Sequence, residues 1–116
     1  MAREPAGLWS AEEFSVDVLD EEGLTVVLLS GELDLSTAPV LRECLERLSS
    51  AVGRTVLMDL TNLTFVDSSG ISALIMGCKR TRAQGGSFSL ISPQPTVRRV
   101  LQMQGVFEYL NAPVES

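Results

Sequence analysis

Apolar and polar residues alternate from Phe14 to Asp20, with Phe14, Val16 and Val18 on one side and Ser15, Asp17 and Leu19 on the other. That period of two predicts a half-exposed strand. Asp20-Glu21-Glu22-Gly23 reads as a turn, and the β-rich run over 24–29 as a buried central strand, so the two form a hairpin. After a loop over 31–36 the period lengthens. Ala38, Leu41, Leu45 and Leu48, with Cys44 beside them, form the inward stripe of a helix that Ser36 or Thr37 can cap and that carries Pro39 in its first turn. Gly53 ends this segment, and residues 55–59 predict a second buried strand, closing a parallel crossover. A loop over 61–67 leads to a helix from 68 to about 84, with Ile71, Leu74, Ile75 and Cys78 inward. Gly85-Gly86 stops it, 87–91 predicts a strand, Pro95 opens a short helix, and 106–110 predicts a last edge strand. Residues 1–12 show no period and are expected to be a flexible arm before one domain over 13–116. The order ββαβαβαβ predicts a small α/β layer with a mostly parallel sheet of about five strands.

Composition narrows the functional classes. At 116 residues the chain suits one domain, and 45% hydrophobic residues exclude a disordered chain. No apolar run is long enough to span a bilayer and the first residues do not resemble a signal peptide, so no membrane association and a cytoplasmic location are expected. The net charge of −6 is uneven: residues 1–34 hold nine acids and one base. An acidic domain is a poor nucleic-acid partner, and Lys79-Arg80-Arg82 and Arg98-Arg99 read as solvated helix faces. The chain has no histidine, which removes Ser-His-Asp and Cys-His catalysis and histidine metal sites. Cys44 and Cys78 match no metal or redox spacing and read as buried thiols. No nucleotide-binding glycine fingerprint is present, so no enzyme, metal or cofactor is expected.

What chemistry remains lies in the loops. Loops after parallel strands emerge at one edge of the sheet. This brings 32–37, 62–69 and 92–96 together, with Asp34, Ser36, Thr37, Asp67, Ser68 and Ser69 forming one polar patch. Helix capping accounts for several of these residues on its own. Phe65-Val66-Asp67-Ser68-Ser69-Gly70 sets an acid and two hydroxyls at a helix entrance, where free N–H groups favour negative charge. On that helix Ser69, Ser72, Ala73, Met76 and Gly77 fall away from the inward stripe. An uncharged outward face is either a docking surface or covered by a loop.

These residues carry a resemblance. Gly31-Glu32-Leu33-Asp34, Thr37-Ala38, Leu63 through Ile71, Gly85-Gly86, and Pro95 through Leu101 closing at Gly105 resemble a STAS domain, most of all the bacterial anti-sigma-factor antagonists. The likeness spans about residues 14–110. It implies a sheet with helices mainly on one face and a partner switch. In such a switch the unphosphorylated antagonist binds an anti-sigma factor that is also a serine kinase, which frees sigma factor. The kinase then phosphorylates the serine after the aspartate, here Ser68, and a serine phosphatase resets it. The family's binding loop carries over to Asp34 and Thr37. With the motif and helix face this gives a partner surface of Asp34, Thr37, Asp67, Ser69, Gly70, Ser72, Ala73 and Met76. The family pattern continues into a C-terminal helix that is expected here to be short or absent. STAS-like domains also serve as non-catalytic subunits of transport complexes, which is the alternative reading.

Overall fold

The computed structural model describes residues 4–11, 13–48 and 51–111. Five strands form one sheet in sequence order: β1 (Glu4–Ala11), β2 (Phe14–Glu21), β3 (Leu24–Leu33), β4 (Thr55–Val66) and β5 (Ser87–Ile91). β1 and β2, and β2 and β3, pair antiparallel; β3, β4 and β5 pair parallel. Four of the five strands therefore run the same way, with β2 opposed. Helices α1 (Ala38–Leu48) and α2 (Ser68–Ala83) make the two crossovers, and α3 (Pro95–Met103) and α4 (Phe107–Asn111) follow β5.

Alternation decides which face of the sheet carries the helices. Phe14, Val16 and Val18 of β2, Val27 and Leu29 of β3, Val56 and Met58 of β4, and Phe88 and Leu90 of β5 are buried in a single cluster with the inward stripes of α1 to α4. Each large apolar side chain buried there contributes roughly 1.5–3 kcal/mol. Their strand neighbours Ser15, Leu19, Leu28, Leu57 and Ser89 are only half-buried. Both crossovers thus pack on the same side, as the resemblance implied.

Two expected elements differ. The arm expected over 1–12 is, over Glu4–Ala11, an edge strand paired with β2 in register from Ala11↔Phe14 to Glu4↔Asp20. Its Pro5 and Gly7 flank a register shift, which is why no clean period of two appears in that stretch. The strand expected over 106–110 is instead helix α4. Its role explains the change. Asn111 Oδ1 accepts the Leu90 N–H at 2.8 Å and so caps the outer edge of β5. The Arg82 and Arg98 guanidinium groups lie 5.0 Å from the ring centres of Tyr109 and Phe107, which ties α4 to α2 and α3. Those two arginines are packing groups as well as charges.

β3 and β4 also run further than their apolar cores suggest. The segment 61–66, expected as loop, continues β4, with one extra β4 residue between the pairs Leu28↔Asp59 and Ser30↔Asn62 and another between Gly31↔Leu63 and Glu32↔Phe65. Asp59 Oδ1 accepts from the Thr61 N–H and hydroxyl at the first irregularity, and the Thr64 hydroxyl donates to the Gly31 carbonyl at the second. A Cβ on Gly31, whose φ is +98°, would sit 1.9 Å from the Glu13 carbonyl oxygen, so only glycine lets β3 pass the start of β2.

Candidate functional site

The ends of β3 and β4 carry the site. Leu33 pairs with Val66, and one residue later the Asp67 N–H donates to the Leu33 carbonyl at 3.2 Å. Asp34 and Ser68 therefore leave the same edge of the sheet, as loop convergence predicted. The third loop is set back. β5 ends opposite Asp59, and its following segment reaches β4 through the Gln94 side-chain amide, which donates to the Thr61 carbonyl at 2.8 Å.

Asp34 organises the turn after β3. Its Oδ1 accepts from the Ser36 hydroxyl at 2.8 Å, the Ser36 N–H at 3.0 Å and the Thr37 N–H at 3.1 Å. The Ser36 hydroxyl bond, with those from Thr37 and the Ser36 N–H, holds the Asp34 carboxyl below the usual 3.8 despite the opposing cost of desolvation. Thr37 is buried. Its hydroxyl donates to the Glu32 carbonyl at 2.8 Å and accepts the Asp34 N–H at 2.9 Å. Thr37 therefore shapes the turn and is not an exposed contact. Leu35, between these residues, projects 76% exposed.

Asp67 is the N-cap of α2. Its Oδ1 accepts the N–H groups of Ser69 at 2.9 Å and Gly70 at 3.2 Å, and its carbonyl accepts the first helical bond from the Ile71 N–H. Two of the N–H groups expected to be free at this helix entrance, those of Ser69 and Gly70, are thus already taken by the neighbouring carboxylate. Ser68, the first helical residue, is exposed, and Ser69 is half-buried. Gly70 is buried: a Cβ there would lie 2.6 Å from Leu33 Cγ and 2.9 Å from Val66 Cγ2. Gly70 is the close contact that seats α2 on the strand ends, not a surface residue.

The outward face of α2 is narrower than its periodicity suggested. Ala73 is fully buried and Gly77 is buried against α1, where an added Cβ would meet Leu45 Cδ1 at 2.5 Å. Packing against both the sheet and α1 buries two adjacent stripes, and Gly77 marks the helix–helix contact. Ala73 is removed from the expected partner surface on that ground. Ile75, expected inward, is only half-buried and joins Ser72, Met76, Lys79 and Arg80 around a groove of about 440 Å³. Beside the motif Phe65 is 47% exposed. Ile75 still packs against the core cluster, as expected, while its outer side borders the groove; the exposure of Leu35 and Phe65 is what the sequence reading lacks. The sequence signal for Leu35 is an isolated leucine inside an Asp-x-Ser-Thr turn.

Among the described residues no three carboxylate or thiol groups gather where a metal ion could be held, and no helix is long and apolar enough to cross a membrane. Cys44 and Cys78 are buried, unpaired thiols. Burial, with the nearby Glu43 charge, pushes the Cys44 thiol up to about 12, and burial also raises Cys78.

The model of the STAS domain family matches residues 15–116. The chain belongs to the STAS family. An anti-sigma F factor antagonist of Paenibacillus polymyxa is 30% identical to this STAS domain over 82% of either chain. The solved structure of the anti-sigma factor antagonist SpoIIAA in its unphosphorylated form is 29% identical, covers 86% of this chain and 88% of its own, and superposes with a TM-score of 0.69. The phosphorylated form of SpoIIAA, a Bacillus cell fate determinant, is 28% identical, covers 80% and 84%, and superposes with a TM-score of 0.63. This STAS domain thus shares its fold with an antagonist solved in both phosphorylation states.

Proposed function

We propose that this STAS domain is a cytoplasmic, non-catalytic anti-sigma-factor antagonist. Its unphosphorylated form binds an anti-sigma factor that is also a serine kinase, and phosphorylation of Ser68 ends that binding until a serine phosphatase removes the phosphate. The relatives named for anti-sigma-factor antagonism support the class of partner. The observation that carries the switch is the exposed position of Ser68 beside a cap whose donors are engaged. A phosphate there brings a charge of about −1.5 to −2 at neutral pH. Asp67 holds the Ser69 and Gly70 N–H groups, so the phosphate has to displace Asp67 to take them. Left outward, it adds its charge to that of Asp67 on the partner-facing edge. A surface fitted to a neutral hydroxyl then suffers repulsion and desolvation without unfolding of the domain.

The proposed contact surface is Asp34, Asp67, Ser69, Ser72 and Met76, extended by exposed Leu35 and Phe65. Thr37 and Gly70 act beneath it by shaping the turn and the helix seat. The test is incubation with ATP and an anti-sigma kinase followed by intact mass and site mapping. One added phosphate at Ser68, absent from Ser68→Ala, is expected. A phosphate mapped to Ser69, or an unmodified chain that also fails to bind the kinase, overturns the reading.

A further inference from the structure

The exposed strip of α2 continues well past the switch serine. Ser68, Ser72, Ile75, Met76 and Lys79 recur at helical spacing on one face, since the stripes beside them are buried on the sheet and on α1. From Ser68 to Lys79 the strip runs about 16 Å along the axis. Its two ends differ in charge. The Ser68 end is flanked by Asp67, and further acids, Glu13, Glu32 and Asp34, surround a small polar hollow in the adjacent turn. The far end is rimmed by Lys79 and Arg80, in a chain whose net charge is −6. Between the ends lies the groove floored by Ile75 and Met76. Arg80 meets Glu46 at 3.9 Å with both side chains about half exposed, an ion pair of the kind that holds its partners only weakly.

We infer that this groove receives a segment of the anti-sigma factor that sets an apolar side chain on Ile75 and Met76 and presents carboxylates to Lys79 and Arg80. The inference rests on the proposed function and adds the chemistry of the partner. Charge complementarity selects the occupant. Two cations at the rim of an apolar groove match an acidic amphipathic segment, whereas a nucleic-acid backbone would meet an acidic molecule with only two local phosphate contacts. The partner's footprint is accordingly uneven: acidic over the α2 groove, and uncharged where it meets the Ser68 hydroxyl. The first contact fixes the segment along the helix, and the second reads the serine.

The test is calorimetric titration of the anti-sigma factor with the unphosphorylated chain, its Lys79→Glu/Arg80→Glu variant and its Ser68→Glu variant. Both reversed positions are exposed and the Arg80–Glu46 pair is weak, so an unchanged circular dichroism spectrum and only a small drop in melting temperature are expected for that variant. Its affinity should fall at least about tenfold and lose much of its salt dependence. Reversal of acidic residues to lysine in the partner's contacting segment should restore it. If Ser68→Glu loses affinity while the Lys79→Glu/Arg80→Glu variant binds as tightly as the parent, the groove inference is overturned and the switch stands. If the parent chain does not bind, both fail. Loss of self-association in the reversed variant, with unchanged anti-sigma binding, would assign the groove to a second copy and overturn the inference as well.

Discussion

The Asp67 N–H donates to the Leu33 carbonyl at 3.2 Å, and that bond joins the two halves of the site. It prolongs the pairing of β3 with β4 by one step and holds the Asp34 turn beside the first turn of α2. The proposed partner surface is therefore an extension of the sheet and not a set of independent loops.

Asp67→Ala removes the acceptor of two helix-terminal N–H groups. Loss of an N-cap of this kind costs about 1 kcal/mol. Chemical denaturation should show that loss, and Asp67→Asn, which keeps a side-chain oxygen, should recover most of it. Equal destabilisation by both substitutions would mean that the charge and not the cap matters.

The Asp34 turn should loosen in acid. Its carboxyl is held below 3.8 in the folded chain, first by the Ser36 hydroxyl. A depressed folded value gives a contribution that is complete above the unfolded value and is lost as the pH falls through the folded one. Amide exchange or NMR shifts of Ser36 and Thr37 should therefore hold steady down to about pH 5 and change below the usual carboxylate range. In Asp34→Asn that acid-induced change should be absent.

The strands, crossovers and inward stripes were readable because period and glycine punctuation agree there, as in β2 and α1. Other features were not, among them the run of β4 through 61–66, where extra residues break the ladder. β1 lacks a period because Pro5 and Gly7 sit at a register shift. The 106–110 segment reads as strand from its composition, yet Asn111 turns it into the cap of β5. The outward face of α2 was drawn too wide because a single helical wheel does not show that α1 covers a second stripe through Gly77 and Leu45. At the site, the Asp-Ser-Ser-Gly motif and the convergence of the first two loops were visible from order alone. That Thr37 and Gly70 work from beneath the surface required the packing.

Ala73 and Met76 should separate core from surface. Met76→Lys should change stability by less than about 0.5 kcal/mol while weakening partner binding. Ala73→Leu, which overfills a fully buried position, should cost about 1–3 kcal/mol. Thermal melts of both variants check this. The reverse order would place Met76 in the core.

Both thiols should resist labelling. Cys44 and Cys78 are buried and their thiolates are disfavoured, with Cys44 raised to about 12. Under native conditions a bulky thiol reagent should modify them only as fast as the domain opens, and at the full thiol rate once denaturant is added. Rapid native labelling would contradict their place in the core.

The central claim is that the charge on Ser68 decides partner affinity while the fold stays intact. The most direct measurement is the dissociation constant of one anti-sigma factor for the unphosphorylated and the Ser68-phosphorylated chain, each checked by circular dichroism. The account predicts matching spectra and at least about tenfold weaker binding of the phosphorylated form, a difference of about 1.4 kcal/mol or more. Equal affinity of the two forms, or a phosphorylated form that binds less only because it has unfolded, would contradict it.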